Sequence, residues 1–254
     1  MTSAVYEALI ASDPVQKCAR VAALRLPPDS LWEFNSGSSE LVPGRPQCPA
    51  LIHPSKVPYR GLGTQEGRAA LIHAVAHIEF NAINLALDAC WRFRDQPHQY
   101  YQDWLSVAQD EAQHFLMLSQ RLSEMGHAYG DFPAHNGLWE AAEKTSHDVL
   151  VRMALVPRVL EARGLDVTPG IITRLEQAGD YETVRILRVI LDEEVRHVAL
   201  GTTWFRFLCQ QRGVDPTATF RQLLANYNMR LRLPLNHSAR ALAGFDTAEL
   251  LGAS

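Results

Sequence analysis

Two short stretches of the chain carry the same pair of chemical groups. DEAQH places Glu111 three residues before His114, and EEVRH places Glu194 three residues before His197. On a helix, residues three apart lie on one face, so each pair can present a carboxylate and an imidazole to one point. This combination of ligands suits iron or manganese better than calcium or structural zinc.

A single glutamate precedes each of these pairs at nearly the same distance. Glu79 precedes Glu111 by 32 residues, and Glu161 precedes Glu194 by 33. The chain therefore contains the pattern Glu, then Glu-x-x-His, twice. A third Glu-x-x-His begins at Glu124, but it spans a glycine and has no counterpart in the other half, so we assign it to chance.

The four repeated glutamates lie on helix faces that are otherwise apolar. A buried carboxylate is costly unless it is paired or neutralised. One interpretation pairs each glutamate with an arginine or a helix end, in a purely structural role. In the other, the four carboxylates and two neutral imidazoles surround two divalent cations, whose charge they balance. The repeated spacing favours the dinuclear site.

Helical periodicity predicts the elements that would position these groups. We expect four long helices over about 64–94, 98–125, 138–163 and 181–211. Pro157 should kink the third helix one turn before Glu161, and Gly164 should end it. A short helix is expected near 171–178.

The flanking segments differ in character. Residues 1–25 should form two helices, and the second should be capped by Asp13 and begin at Pro14. The expected packing residues are Leu9, Val15, Val21 and Leu24. Residues 26–62 are rich in proline and glycine and should form an irregular arm. Arg45, His53 and Arg60 could reach a pocket from this arm, but a solvated wrapping arm is the preferred interpretation.

The C-terminal part should add one helix over 216–230 and a peripheral tail. No strand-like alternation of any length occurs, so the sequence predicts an all-α fold. We divide it into N-terminal helices and arm (1–63), a four-helix bundle (64–211) and a C-terminal helical extension (212–254).

Composition narrows the class of protein. The 254 residues are 47% hydrophobic and 20% charged, as in an ordinary globular protein, and the net charge is −4. This charge gives no bulk attraction to nucleic acid or to an anionic membrane. The four cysteines form no CxxC and are expected to be free thiols. Without a signal-like N-terminus or an apolar run of about 20 residues, a cytoplasmic protein is expected.

The repeated pattern resembles the ferritin-like di-iron carboxylate proteins, in which two helices give one Glu each and two others give Glu-x-x-His. The resemblance covers about residues 64–211. The words HAVAHIEFNAI, DEAQHF and MALVPRVLEARGLDVTPG are closer still to domain-of-unknown-function family 455. That family in turn resembles the di-iron hydroxylases of isopentenylated tRNA adenosine. The resemblance implies a ferritin-like four-helix bundle.

Carried over residue by residue, the resemblance also implies a set of metal ligands. They are Glu79, Glu111, His114, Glu161, Glu194 and His197, of which Glu111 and Glu194 would bridge the metals. Asp110 and Glu193 would accept hydrogen bonds from His197 and His114, although exposed ion pairs are an alternative role. Arg158 and Arg196 could neutralise these acids. Two irons are the first expectation, with Fe/Mn and Mn/Mn as alternatives.

Such a site would use O₂ or peroxide and an electron donor. We expect an oxidoreductase, a hydroxylase or oxygenase of a small molecule or a modified nucleoside. A ferroxidase or peroxide-scavenging protein and a non-enzymatic helical module are the alternatives. The acidic charge argues against a nucleic-acid partner, although the C-terminal part has a set of arginines that could form a basic face: Arg221, Arg230, Arg232 and Arg240. No membrane partner is expected, and a homodimer is left open.

Overall fold

A computed structural model describes residues 2–26 and 42–250. The helices are α1 (Thr2–Ile10), α2 (Pro14–Ala23), α3 (Gln65–Arg92), α4 (His98–Glu124), α5 (Gly137–Lys144), α6 (Val149–Leu155), α7 (Ala162–Gln177), α8 (Tyr181–Arg212), α9 (Pro216–Asn226), α10 (His237–Leu242) and α11 (Thr247–Leu250). A π-helical segment, Val156–Glu161, joins α6 to α7, and Pro54–Lys56 is a 3₁₀ turn. Within the described ranges there is no strand, which confirms the all-α prediction.

The chain divides into two compact units, Met1–Glu140 and Ala141–Ser254. Each unit contains one copy of the repeated pattern of glutamate followed by Glu-x-x-His. The predicted division into arm, bundle and extension stays a prediction.

The first unit is built on α3 and α4, which pack against each other, with α1 against α3 and α2 against α4. Thr64 caps α3 by accepting a hydrogen bond from the Gly67 N–H, close to the predicted start of this helix. By length and composition α3 could cross a membrane, but 72% of its most apolar stretch is buried inside the protein. That burial is typical of a core helix.

The N-terminal helices confirm the predicted cap. Asp13 accepts a hydrogen bond from the Gln16 N–H at 2.8 Å, and Pro14 begins α2. Leu9, Val21 and Leu24 are buried as expected. Val15 was predicted to pack, but the structure leaves it 66% exposed, because it lies on the solvent face of α2.

The described part of the arm, residues 42–63, packs on the first unit. The Gly44 N–H donates to the Leu9 carbonyl at 2.9 Å, and Leu51 forms an isolated bridge with Ala134. Arg60 lies over the Phe132 ring, with its guanidinium carbon 5.2 Å from the ring centroid. These contacts attach residues 42–63 to the first unit, and the predicted residues 27–41 of the arm lie outside the described residues.

The single helix predicted over 138–163 is wrong. The chain leaves α5 at Lys144 and starts again at Val149, with Asp148 as the N-cap of α6. Arg212 holds this cap with two hydrogen bonds to the Asp148 carboxylate, at 2.7 and 2.8 Å. The N-cap after this break is thus held by Arg212, which is 64 residues away from Asp148. The local periodicity of the sequence does not show such a contact.

Pro157 distorts the helix where the kink was predicted, and the distortion takes the form of the π-helical segment. Proline cannot donate to the carbonyl four residues back. At the end of the segment, the Ala162 N–H donates to the Pro157 carbonyl, five residues back. The predicted stop at Gly164 is wrong, because α7 continues to Gln177 and includes the segment predicted as a separate short helix.

The C-terminal tail was expected to be peripheral, and the structure corrects this. Arg240, Phe245 and Glu249 are all buried within the second unit. Arg240 donates two hydrogen bonds to the Asp166 carboxylate, at 2.9 and 2.7 Å. This buried ion pair attaches the tail to α7, where Asp166 lies.

The four cysteines are free, as predicted. Cys18, Cys90 and Cys209 are buried, and Cys48 is exposed.

Candidate metal centre

Three predicted ligands meet in the first unit. Glu79 lies on α3, and Glu111 and His114 lie one turn apart on α4. The Nδ1 atom of His114 is 3.3 Å from a Glu79 carboxylate oxygen and 3.2 Å from a Glu111 oxygen. Potential ligand atoms of the three residues all lie within 4.8 Å of one another. The structure therefore brings together a cluster that could hold a metal ion.

This cluster is almost completely shielded from water. Glu79 is 4% exposed, Glu111 1% and His114 0%. Burial opposes protonation of the imidazole, but hydrogen bonds to Glu111 and Glu79 outweigh that effect and raise the pKa of His114 to about 11. An imidazolium or a metal cation can thus compensate the two carboxylates. Two carboxylates and an imidazole are a donor set that fits a divalent transition metal.

Aromatic packing fixes α3 and α4 beside the cluster. Phe80, next to Glu79, and Phe115, next to His114, have ring centroids 5.5 Å apart. Both rings are 2% exposed. Because side chains in a dense core have little freedom, this contact limits how far the candidate ligand side chains can separate.

His77 lies two residues before Glu79 and has a structural role. Its Nδ1 is 2.8 Å from the Tyr129 hydroxyl, and its Nε2 is 3.1 Å from the His135 carbonyl. Burial lowers the pKa of His77 to about 4, so the ring is neutral near pH 7. His77 therefore attaches the connection after α4 to α3.

The second copy of the pattern lies in the second unit, on α8 and on the π-helical segment before α7. Glu194 and His197 lie one turn apart on α8, with 3.5 Å between a Glu194 oxygen and the Nδ1 of His197. His197 is fully buried, while Glu194 and Glu161 are half-buried. Glu161 is the last residue of the π-helical segment.

The chain matches one family model over residues 10–251, and the description of that family is "Protein of unknown function (DUF455)". The chain belongs to this family. It is also 43% identical to an "Uncharacterized protein" of Haemophilus influenzae over 262 residues, which cover 97% of this chain and 91% of that protein. No solved structure matches the DUF455 chain. The ferritin-like relationship and the six-ligand set stay predictions.

Two predicted hydrogen bonds, from His197 to Asp110 and from His114 to Glu193, also stay predictions. Both acids are half-buried in the DUF455 chain. Arg158 was expected to neutralise one of these acids, and the structure instead pairs it with Glu249, at 2.7 Å.

Sequence reasoning gave Arg158 and Arg240 other roles and missed the ion pairs that they form on either side of Glu161 in sequence. Asp166 and Arg158 lie within five residues of it, yet their partners Arg240 and Glu249 are 74 and 91 residues away in sequence. No spacing rule connects such distant residues. The only local indication was that the tail contains an arginine and an acid between apolar residues, at Arg240 and Glu249.

Proposed function

We propose that this DUF455 protein binds two divalent metal ions and is an oxidoreductase that uses O₂. One half of the site would be Glu79, Glu111 and His114, and the other half would be Glu161, Glu194 and His197. The observation that carries the proposal is the buried cluster of the first unit, in which two carboxylates and an imidazole meet. The repeated sequence pattern supports a matching contribution from the second unit.

Iron is the proposed metal at both positions, because carboxylate and imidazole ligands suit it. When bound, two reduced irons can supply the two electrons that O₂ activation requires. Glu111 and Glu194 would hold the metals together with Glu79 and Glu161, and His114 and His197 would complete the ligand sets. A histidine ligand must be neutral, so metal binding would release the proton that His114 otherwise shares with its two glutamates.

The environment of the first half-site supports oxidation chemistry. Glu79, Glu111 and His114 are at most 4% exposed, so the protein would exclude water from the reacting centre. The chain has long segments outside the helices that carry the proposed ligands, among them the arm and the C-terminal helices. We take these additional segments as support for an organic substrate over iron storage. We propose a small molecule or a modified nucleoside as the class of substrate.

The direct experiment is anaerobic reconstitution with Fe(II), followed by O₂ consumption in the presence of a chemical reductant. The proposal predicts reductant-dependent O₂ uptake that Glu111→Ala removes. Oxidation of Fe(II) alone, without sustained uptake from the reductant, would instead indicate a ferroxidase. An apo protein that takes up no iron would overturn the proposal.

A further inference from the structure

The backbone on both sides of Glu161 is held by the C-terminal tail. Before Glu161, the Arg158 guanidinium donates to the Glu249 carboxylate at 2.7 Å, and both side chains are 0% exposed. After it, Asp166 accepts two hydrogen bonds from Arg240, at 2.9 and 2.7 Å. Both tail residues belong to the segment 232–249.

Arg158 is enclosed as well as paired. Its guanidinium carbon lies 4.5, 4.2 and 4.5 Å from the ring centroids of Phe205, Phe220 and Phe245. A cation held over aromatic faces and bonded to a buried carboxylate has little room to move. Arg158 lies within the π-helical segment, so the pair fixes the turn that ends at Glu161.

The tail also repairs a defect in α7. Pro169 lies inside α7 and has no N–H, so it cannot donate to the Leu165 carbonyl four residues back. The side-chain amide of Asn236 donates to that carbonyl at 3.1 Å, and the Asn236 N–H donates to Asp166 at 2.9 Å. Arg163 in turn donates to the carbonyls of Arg232 and Pro234, at 2.6 and 3.0 Å.

We propose that residues 232–249 form a clasp that positions Glu161. The clasp holds the irregular backbone at 158–166, where helical hydrogen bonding alone is incomplete. Its consequence for metal binding rests on the proposed function: loosening the clasp should weaken the metal position that Glu161 serves and leave the Glu79 position unchanged. Arg158, Asp166, Asn236, Arg240 and Glu249 are thus positioning residues.

Glu249→Gln tests the clasp, and Asp246→Asn is the matched control. Both variants remove one negative charge from the same turn of the tail. The Asp246 carboxylate pairs with Arg206 on the surface, where the two side chains are 66% and 38% exposed, so its loss should have little effect. In metal-free protein, Glu249→Gln should speed amide hydrogen exchange over 156–166 on the order of tenfold. Asp246→Asn should leave this exchange unchanged.

Titration with Co(II), followed by its visible absorption, adds a second measurement. A clasp with only a structural role would not weaken one of the two cobalt ions selectively. Glu249→Gln should weaken the second cobalt on the order of tenfold and leave the first unchanged. Unchanged exchange at 156–166, or equal weakening of both cobalt ions, would overturn the clasp.

Should Glu249→Gln fail to fold, Asn236→Ala provides the second variant. It removes the bonds of this side chain to the Leu165 carbonyl and to the Ala239 N–H without leaving a buried charge. It should speed exchange around 165–169, and unchanged exchange there would overturn the proposal. A wild-type protein that binds no cobalt would overturn the proposed function, while the exchange comparison would still decide the clasp.

Discussion

Glu79 and Glu161 occupy equivalent positions in the repeated sequence pattern, but they lie on backbones of different kinds. Glu79 is in the middle of α3, a regular helix of 28 residues, and touches the Glu-x-x-His of α4. Glu161 ends a π-helical segment, whose shape depends on Pro157 and on the C-terminal tail. π-helical turns are rare and often mark functional sites. The two halves therefore carry similar candidate ligands, but the backbone around Glu79 is a regular helix and the backbone around Glu161 is not.

The two units also stabilise buried cations differently. In the second unit, the buried guanidinium of Arg158 meets a carboxylate. In the first unit, the Lys17 ammonium is 0% exposed and donates to the carbonyls of Ala8 and Leu9, at 3.0 and 2.6 Å. Desolvation by burial lowers the pKa of Lys17 to about 7, so this cation loses its charge near neutral pH.

The largest expected effect comes from removing one carboxylate from each half. Glu111→Ala combined with Glu194→Ala should abolish metal binding while helix content stays largely intact, because each half of the proposed site would lose a carboxylate. Elemental analysis and circular dichroism provide the two measurements. Glu124→Ala, in the third Glu-x-x-His, is the matched control and should bind metal normally. A double variant that keeps two metals per chain would show that the ligand assignment is wrong.

Lys17→Met should change how stability depends on pH. The unfolded lysine keeps its proton up to about pH 10.5, whereas the folded one loses it above about pH 7. The unfolded state therefore binds more protons between these values, and wild-type stability gains about 1.4 kcal/mol per pH unit from this residue. Lys17→Met lacks that gain, so its stability relative to wild type should be highest below pH 7 and fall as pH rises.

Urea denaturation of both proteins at pH 6, 7, 8 and 9 measures this difference. The comparison with wild type cancels the contribution of His114, whose pKa is raised and which acts in the opposite direction over this range. A difference that stays constant with pH would contradict the account of Lys17 as a cation whose pKa is lowered by burial.

Gly201→Ala should disturb the contact that supports the π-helical segment. A Cβ at Gly201 would lie 2.5 Å from the Cβ and Cγ atoms of Pro157, so the rigid ring or α8 must shift. We expect a loss of about 1–3 kcal/mol in the free energy of unfolding. Gly164→Ala, in α7, meets nothing within 4 Å and should instead stabilise by about 0.5–1 kcal/mol.

Denaturant unfolding of the two alanine variants provides the measurement. Equal effects from Gly201→Ala and Gly164→Ala would mean that the contact between Pro157 and α8 is not restrictive, and the difference between the two halves would lose its physical basis.

The sequence was sufficient to predict the long helices with a periodic apolar face. The bounds of α3, α4 and α8 follow their apolar faces, and local residues such as Thr64 and Asp180 cap their first turns. The meeting of Glu79 with Glu111 and His114 could also be predicted, because the three groups lie on adjoining helix faces.

The region around Glu161 could not be predicted in the same way. The break before α6 depends on Arg212, and the continuation of α7 past Gly164 is supported by Asn236 and Arg240. These contacts join residues more than 60 positions apart, and local propensity does not contain them. A rule that a glycine ends a helix fails where a distant side chain completes the hydrogen bonding.

The most direct test of the central claim is the metal content per chain, measured by elemental analysis after growth in iron-supplemented medium. A dinuclear site predicts about two irons per chain, or iron together with manganese. Metal well below one per chain that anaerobic Fe(II) reconstitution fails to restore would contradict the account and leave the buried acids with a structural role.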